Sequence, residues 1–161
     1  MESWLDRTEA PLTLRKHQSA GYLSNHMGRL FAIRLAERLQ PIGLAMAQFG
    51  VLIELWDKDA ITQKQLVERL DVEQATVGNT LNRMERDGLI VRKPHPQDGR
   101  AQVICITAKA RELEAEATRI AKTVNAEALA DLTSEERETL LDLMRRVVET
   151  QRANRKPPAG K

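Results

Sequence analysis

Cysteine is almost absent. Cys105 is the single one in 161 residues, so no internal disulfide is available and the composition fits a reducing compartment. Histidine is sparse as well. His17, His26 and His95 are scattered, without the His-x3-His or Cys-x2-Cys spacing of a zinc site. No Ser/His/Asp or Cys/His set and no glycine-rich phosphate loop is visible. The expectation is therefore a chain that is not an enzyme and needs no cofactor and no metal. No apolar run approaches the roughly 20 residues that span a bilayer, and no secretory leader is recognisable. A soluble, cytoplasmic chain without membrane association is expected. An excess of one charge is also missing: Lys+Arg number 25 against 23 Asp+Glu, a net +2. No global positive field can hold a polyanion, so any nucleic-acid contact must come from a local patch.

What is present is globular and helix-rich, with 42% hydrophobic and 30% charged residues. The stretch from Ile61 to Thr107 organises the rest. Thr62-Gln63-Lys64-Gln65 is a capping box, in which the Thr hydroxyl takes the N–H three residues on while Gln65 reaches back. Leu66, Val67 and Leu70 give the short helix that follows one apolar face. Asp71-Val72-Glu73 breaks the pattern as a tight turn. A second helix is predicted from Gln74 to Asp87, with Val77, Leu81 and Met84 at helical spacing. Its other face carries Gln74, Thr76, Asn79, Asn82, Arg83 and Arg86. Gly88 suits a left-handed cap.

After Gly88 the period changes to that of strands. Residues 89–93 and 101–106 are β-branched runs, and between them Pro94 to Arg100 includes Asp98-Gly99 as a hairpin signal. Two short helices, a tight turn and a basic-tipped hairpin make a winged helix-turn-helix. In that arrangement the second helix enters the major groove. Asn and Gln can pair with both groups on the adenine edge and Arg suits guanine. A hairpin-tip Arg suits the narrow, electronegative minor groove.

The flanks read as helices. The first is predicted from Gln18 to Gln40, with Leu23, Met27, Leu30, Phe31, Leu35 and Leu39 on one stripe. A second runs over residues 47–57, burying Phe49, Leu52, Ile53 and Trp56; Ala45 at its start lacks a capping hydroxyl, a loss of about 1 kcal/mol. Thr107 can cap a long helix over 108–130, whose stripe is Leu113, Ala117, Ile120, Val124 and Ala128. Thr133-Ser134-Glu135-Glu136 is a second capping box, opening a last helix to Thr150 with Leu140, Leu141, Met144, Val147 and Val148 inward. The long helices have no sheet to cover, and a second copy of the chain satisfies their stripes best. The fold class is thus mainly α with a small β-hairpin: a winged helix-turn-helix with N- and C-terminal dimerisation helices. The expected segments are 1–45 (arm and dimerisation helix), 46–107 (DNA-binding domain), 108–151 (C-terminal dimerisation helices) and 152–161 (disordered basic tail).

These residues in this order resemble the MarR family of bacterial transcription regulators, nearest to its SlyA-like branch. The resemblance rests on Gln48-Phe49-Gly50-Val51-Leu52, Leu66-Val67-Glu68-Arg69-Leu70, Gly88-Leu89-Ile90 and Asp98-Gly99-Arg100-Ala101. It implies that Arg100 enters the minor groove, buttressed by Asp98, while the start of the reading helix meets the major groove. The DNA-binding set is Gln74, Thr76, Gly78, Asn79, Asn82, Arg83, Lys93, Asp98 and Arg100. Three positions depart from the family pattern. Asn79 stands where relatives commonly have Arg, and Gly99 replaces a wing residue that is often basic. Gly78 costs about 1 kcal/mol of helix propensity against Ala, and either permits close approach to DNA or is simply tolerated.

The function implied is a homodimeric, sequence-specific regulator of double-stranded DNA, usually a repressor, bound to a pseudo-palindromic operator. Relatives are commonly released by a small aromatic or phenolic acid held between the dimerisation helices and the winged domain. His17, Tyr22 and His26 are read as packing residues and not as part of that site. Cys105 is read as a buried, inert thiol, because peroxide-sensing relatives carry their reactive cysteine near the first helix. The alternative is a winged-helix protein–protein interaction module without specific DNA binding.

Overall fold

The structure is a computed structural model that describes residues 15–155. The arm up to Leu14 and the end of the tail from residue 156 lie outside the described residues. Eight main elements follow in order: α1 (Ala20–Leu39), α2 (Met46–Asp57), α3 (Gln63–Leu70), α4 (Gln74–Arg86), β1 (Ile90–Pro94), β2 (Gln102–Ile106), α5 (Ala108–Ala128) and α6 (Ser134–Asn154). The chain divides into two units, Met1–Ile120 and Ala121–Lys161, with the break inside α5.

In the first unit, capping chemistry sets most boundaries. Ser19 accepts the Tyr22 N–H, so α1 starts two residues later than its apolar stripe indicates. A short 3-10 turn at Gln40–Ile42 follows, ended by Gly43 at φ 77°. At the start of α2 the missing hydroxyl of Ala45 is offset from the other side: Gln48 Oε1 accepts the Ala45 N–H at 3.1 Å. Thr62 and Gln65 form the expected reciprocal box. Asp71 makes the turn between α3 and α4 at φ 53°, a left-handed conformation its short polar side chain tolerates. Gly88 (φ 71°) ends α4, with the Leu89 N–H returning to Met84 O at 2.8 Å, the 6→1 bond of a Schellman closure.

The core lies beneath α4. Leu52, Leu55, Leu66, Val77, Leu81, Met84, Leu89, Ile90 and Ile104 are buried, drawn from three helices and the hairpin. β1 and β2 pair antiparallel with Arg92 opposite Ile104. Ile61 adds a single bridge to Ile104 on the outer side of β2. One residue has no period, so the sequence gives no sign of this third edge. Asp59 fixes the same corner, accepting the Ile106 N–H through Oδ1 and Arg111 through Oδ2. Thr107 takes the Ala110 N–H and donates to Gly88 O, tying the start of α5 to the end of α4.

One expectation for the first unit changes. On α2, Ile53 is exposed and Trp56 is only half-buried, whereas Val51 and Leu55 are buried. The helix packs against α3, α4 and β2 as well as α1, so its buried face is rotated from the stripe that contact with α1 alone would select. Trp56 keeps its ring edge-on to Phe49 and donates from Nε1 to Ala110 O at 3.1 Å. On α1, Leu23, Leu30 and Ile33 are exposed and only Leu39 is buried.

In the second unit, Thr133 and Glu136 form the predicted capping box. α6 runs to Asn154, so residues 152–154 of the expected tail are helical. Its stripe is not inward: Leu141, Leu143, Met144, Val147 and Val148 are exposed, and α6 buries no residue. The periodicity correctly predicts the helix, but its stripe stays exposed among the described residues.

Two stability predictions follow from the core around α4. Gln48 also donates from Nε2 to Asp87 Oδ2 at 2.8 Å, and with Arg86 it holds the Asp87 carboxyl below its ordinary pKa of 3.8. Stability from these bonds is complete above the unfolded value and is lost as pH falls through the lower folded one. Asp87→Asn keeps an oxygen for Gln48 but has no proton to take up. The wild type's advantage in urea midpoint should be constant near neutrality and shrink below about pH 3.8; a gap that persists unchanged into acid contradicts this account. The second prediction concerns Gly78, where an added Cβ would stand 3.2 Å from Gln63 Nε2. Gly78→Ala should recover less than its propensity gain of about 1 kcal/mol, and more of it when Gln63→Ala is also made. Equal gains in both backgrounds, measured by chemical denaturation, would show that the α3–α4 contact is slack.

Candidate nucleic-acid interface

α4 buries Val77, Thr80, Leu81 and Met84. At 3.6 residues per turn, the opposite row is Ala75, Asn79, Asn82 and Arg86, and all four are exposed, as are Gln74, Thr76 and Arg83. The expected reading residues therefore share one accessible surface. Gly78 is the exception: it is half-buried, and the direction in which its Cβ would point is toward Gln63 of α3. Its lack of a side chain serves helix–helix approach. No side-chain bond caps α4 at Glu73, which leaves amide N–H groups at the helix start available to an acceptor.

The hairpin stands beside this surface. Along β1, Ile90, Arg92 and Pro94 share one face and Val91 and Lys93 the other, by the alternation of strands. Arg92 turns toward α4, where it donates to the Glu85 carboxylate through Nη1 and to Asn82 Oδ1 through Nη2 at 2.8 Å. Its positive charge is thus consumed inside the molecule. The strand alternation that places it with Ile90 was the available signal, and a reading that counts basic residues misses it. Lys93, on the opposite face, is exposed.

At the wing tip, the loop closes through His95 N–H to Ala101 O at 2.9 Å, and a turn forms through Ala101 N–H to Asp98 O at 3.0 Å. Asp98 Oδ1 accepts the Arg100 N–H at 3.0 Å, so the buttress acts on the Arg100 backbone. His95 Nδ1 accepts the Gln97 N–H at 3.1 Å, which gives this histidine a structural task. The turn differs from the mirror-image type that Asp-Gly favours, since positive φ among the described glycines is confined to Gly43 and Gly88.

Charge is distributed in a way that composition hides. Among the described residues, Arg69, Arg86, Arg92, Arg111, Arg119, Arg145 and Arg146 are in ion pairs, whereas Arg83, Lys93 and Arg100 are in none. The three cations on the reading helix and the wing are therefore available for an external anion. Cys105 is buried in β2, and burial followed by the charge of Asp59 pushes its thiol pKa up, which disfavours the reactive thiolate. A groove of about 1050 Å³ opens between α1, the start of α2 and the end of α4, with Ile33, Leu44 and Met46 beside Arg83 and Arg86. Its lining residues are not legible in the sequence, because its wall is assembled from three helices.

Known proteins agree with this geometry. Residues 44–101 match the MarR family. The chain is 32% identical over 121 residues to an uncharacterised HTH-type transcriptional regulator, YwoH, of Bacillus subtilis, covering 75% of this chain and 88% of that protein. It is 33% identical over 105 residues to the transcriptional regulator HosA of Escherichia coli, covering 65% of this chain and 78% of that one. Among solved structures, a cysteine-to-serine mutant of MarR from Escherichia coli complexed with operator DNA superposes with a TM-score of 0.74 at 26% identity, over 79% of this chain and 91% of that one. With its reading helix, its wing and relatives of this extent, the chain belongs to the MarR family, whose members here are transcriptional regulators.

Proposed function

We propose that the chain is a cytoplasmic, homodimeric repressor that binds a pseudo-palindromic operator and is released by a small aromatic or phenolic acid. The observation that carries the DNA-binding part is the accessible row on α4 lying beside a wing whose Lys93 and Arg100, like Arg83, hold no ion pair among the described residues. Gln74, Thr76, Asn79, Asn82 and Arg83 read the major groove; Arg100, its backbone fixed by Asp98, enters the minor groove; Lys93 adds a phosphate contact. Gly78 lets α3 and α4 approach, so that both helices sit at the groove. A regulator of near-neutral net charge can bind DNA in this way because Coulomb attraction is local once salt screens it within about 8–10 Å.

The dimer is supported by the exposed stripes of α1 and α6. Five large apolar residues on one 21-residue helix face water in the single chain, and burying such surface yields about 25 cal/mol per Å². A second copy presents the same stripes and would place two reading helices about one DNA turn apart. The groove supports the effector: apolar side chains suit a ring, and Arg83 suits its carboxylate. Because Arg83 belongs to the reading helix, a bound acid would compete directly for a DNA-facing cation and so favour the released state.

Two experiments test this reading. Selection of genomic fragments by the purified protein at near-physiological salt should enrich an inverted repeat. Arg100→Ala should weaken binding to that repeat by about 1–3 kcal/mol, or roughly 5- to 150-fold, with a shallower salt dependence and no loss of the dimer. A folded dimer that enriches nothing, with or without candidate acids removed by dialysis, would point instead to a protein-binding module. The second is Val147→Glu, which places a charge in the exposed α6 stripe. Sedimentation should show monomer at concentrations where the wild type is a dimer, and operator affinity should fall with it; a monomeric wild type defeats the proposal.

A further inference from the structure

Asn82 lies in the outward row of α4, but its amide is not free to turn. Arg92, anchored on β1 and leaving only 19% of its side chain accessible, donates to Asn82 Oδ1 at 2.8 Å while its other terminal nitrogen is held by Glu85. A guanidinium has five N–H donors and no acceptor. Turning the amide over would set Nδ2–H against N–H, a repulsive contact that also strands a donor. The oxygen must therefore face Arg92 and the nitrogen must face away from it. Among the described residues, Nδ2 has no hydrogen-bond partner.

On the reading that α4 lies in the major groove, we propose that Asn82 is a one-way reader, a hydrogen-bond donor to the base edge, and that Arg92 is the positioning residue that makes it so. A free amide can turn to suit a donor or an acceptor, and can pair both groups of adenine. The held amide offers its N–H₂ outward and its oxygen to the wing. It favours a contacted guanine or thymine, whose hydrogen-bonding groups in the major groove are acceptors only, and disfavours cytosine, which presents the N4 amino donor. Arg92 contributes specificity without touching DNA, because removing it changes which way another side chain faces.

The same fragment selection, run with the wild type and three variants, tests this. The wild type should show guanine or thymine at one position in each half-site that depends on Asn82. Asn82→Asp keeps an oxygen for Arg92 but presents only acceptors, so that position should switch toward cytosine while the others keep their preference. Arg92→Gln, which can donate to or accept from the amide, should broaden the same position and no other. Arg92→Lys, again a donor only, should restore it. A merely structural Arg92 would lower affinity evenly across all sequences or leave the selected repeat unchanged, and either result overturns the proposal, as does an Asn82→Asp repeat identical to the wild type's. A wild type that enriches no repeat overturns the DNA-binding reading itself, and this inference with it.

Discussion

The fold depends on one helix being buried along one face and bare along the other. α4 places Val77, Leu81 and Met84 into a core built from α2, α3 and the hairpin, and that burial fixes its rotation about its own axis. A turn of the helix by one residue, about 100°, would drive Asn79 or Asn82 toward the core and expose Leu81. The cost of burying an unpaired amide, about 1–3 kcal/mol from mutational data, adds to the lost apolar burial and holds the reading row outward. Gly78 belongs to the same constraint, since it lets Gln63 of α3 pass close to the helix.

Polar ties then fix where that helix sits. Gln48 joins the start of α2 to Asp87 at the end of α4, and its carbonyl also accepts the Ala45 N–H at the helix start. Lys109 donates to Asp87 O, and Thr107 donates to Gly88 O. Arg92 brackets Glu85 and Asn82 from the wing. Among the described residues no buried side-chain nitrogen or oxygen lacks a partner. Such bonds add about 0.5–1.5 kcal/mol each; their larger effect is on geometry, because each joins elements distant in sequence and leaves the helix one orientation relative to the hairpin.

The cations divide by the same logic. Arginines on α3, α5 and α6 meet nearby carboxylates, and Arg92 meets Glu85, while Arg83, Lys93 and Arg100 meet none among the described residues. A net charge of +2 is therefore compatible with a locally basic face. Counting charges along the sequence cannot find it, because which arginine is neutralised depends on contacts such as Asp59–Arg111 across 52 residues.

The sequence by itself determined the elements and their order. Capping boxes at Thr62 and Thr133, the glycine stop at Gly88 and the change of period into the hairpin are local chemistry, and local chemistry is legible one segment at a time. The exposed reading row on α4 was legible for the same reason, since a helix with one apolar stripe has only one other side. What the tertiary structure decided is everything that needs two distant segments at once. It rotated α2 to bury Leu55 and expose Ile53, added Ile61 to the hairpin, turned Arg92 inward onto Asn82, and left the stripes of α1 and α6 uncovered. Periodicity reports that a residue prefers to be buried. Only packing supplies the surface that buries it, and for α6 the described residues supply none.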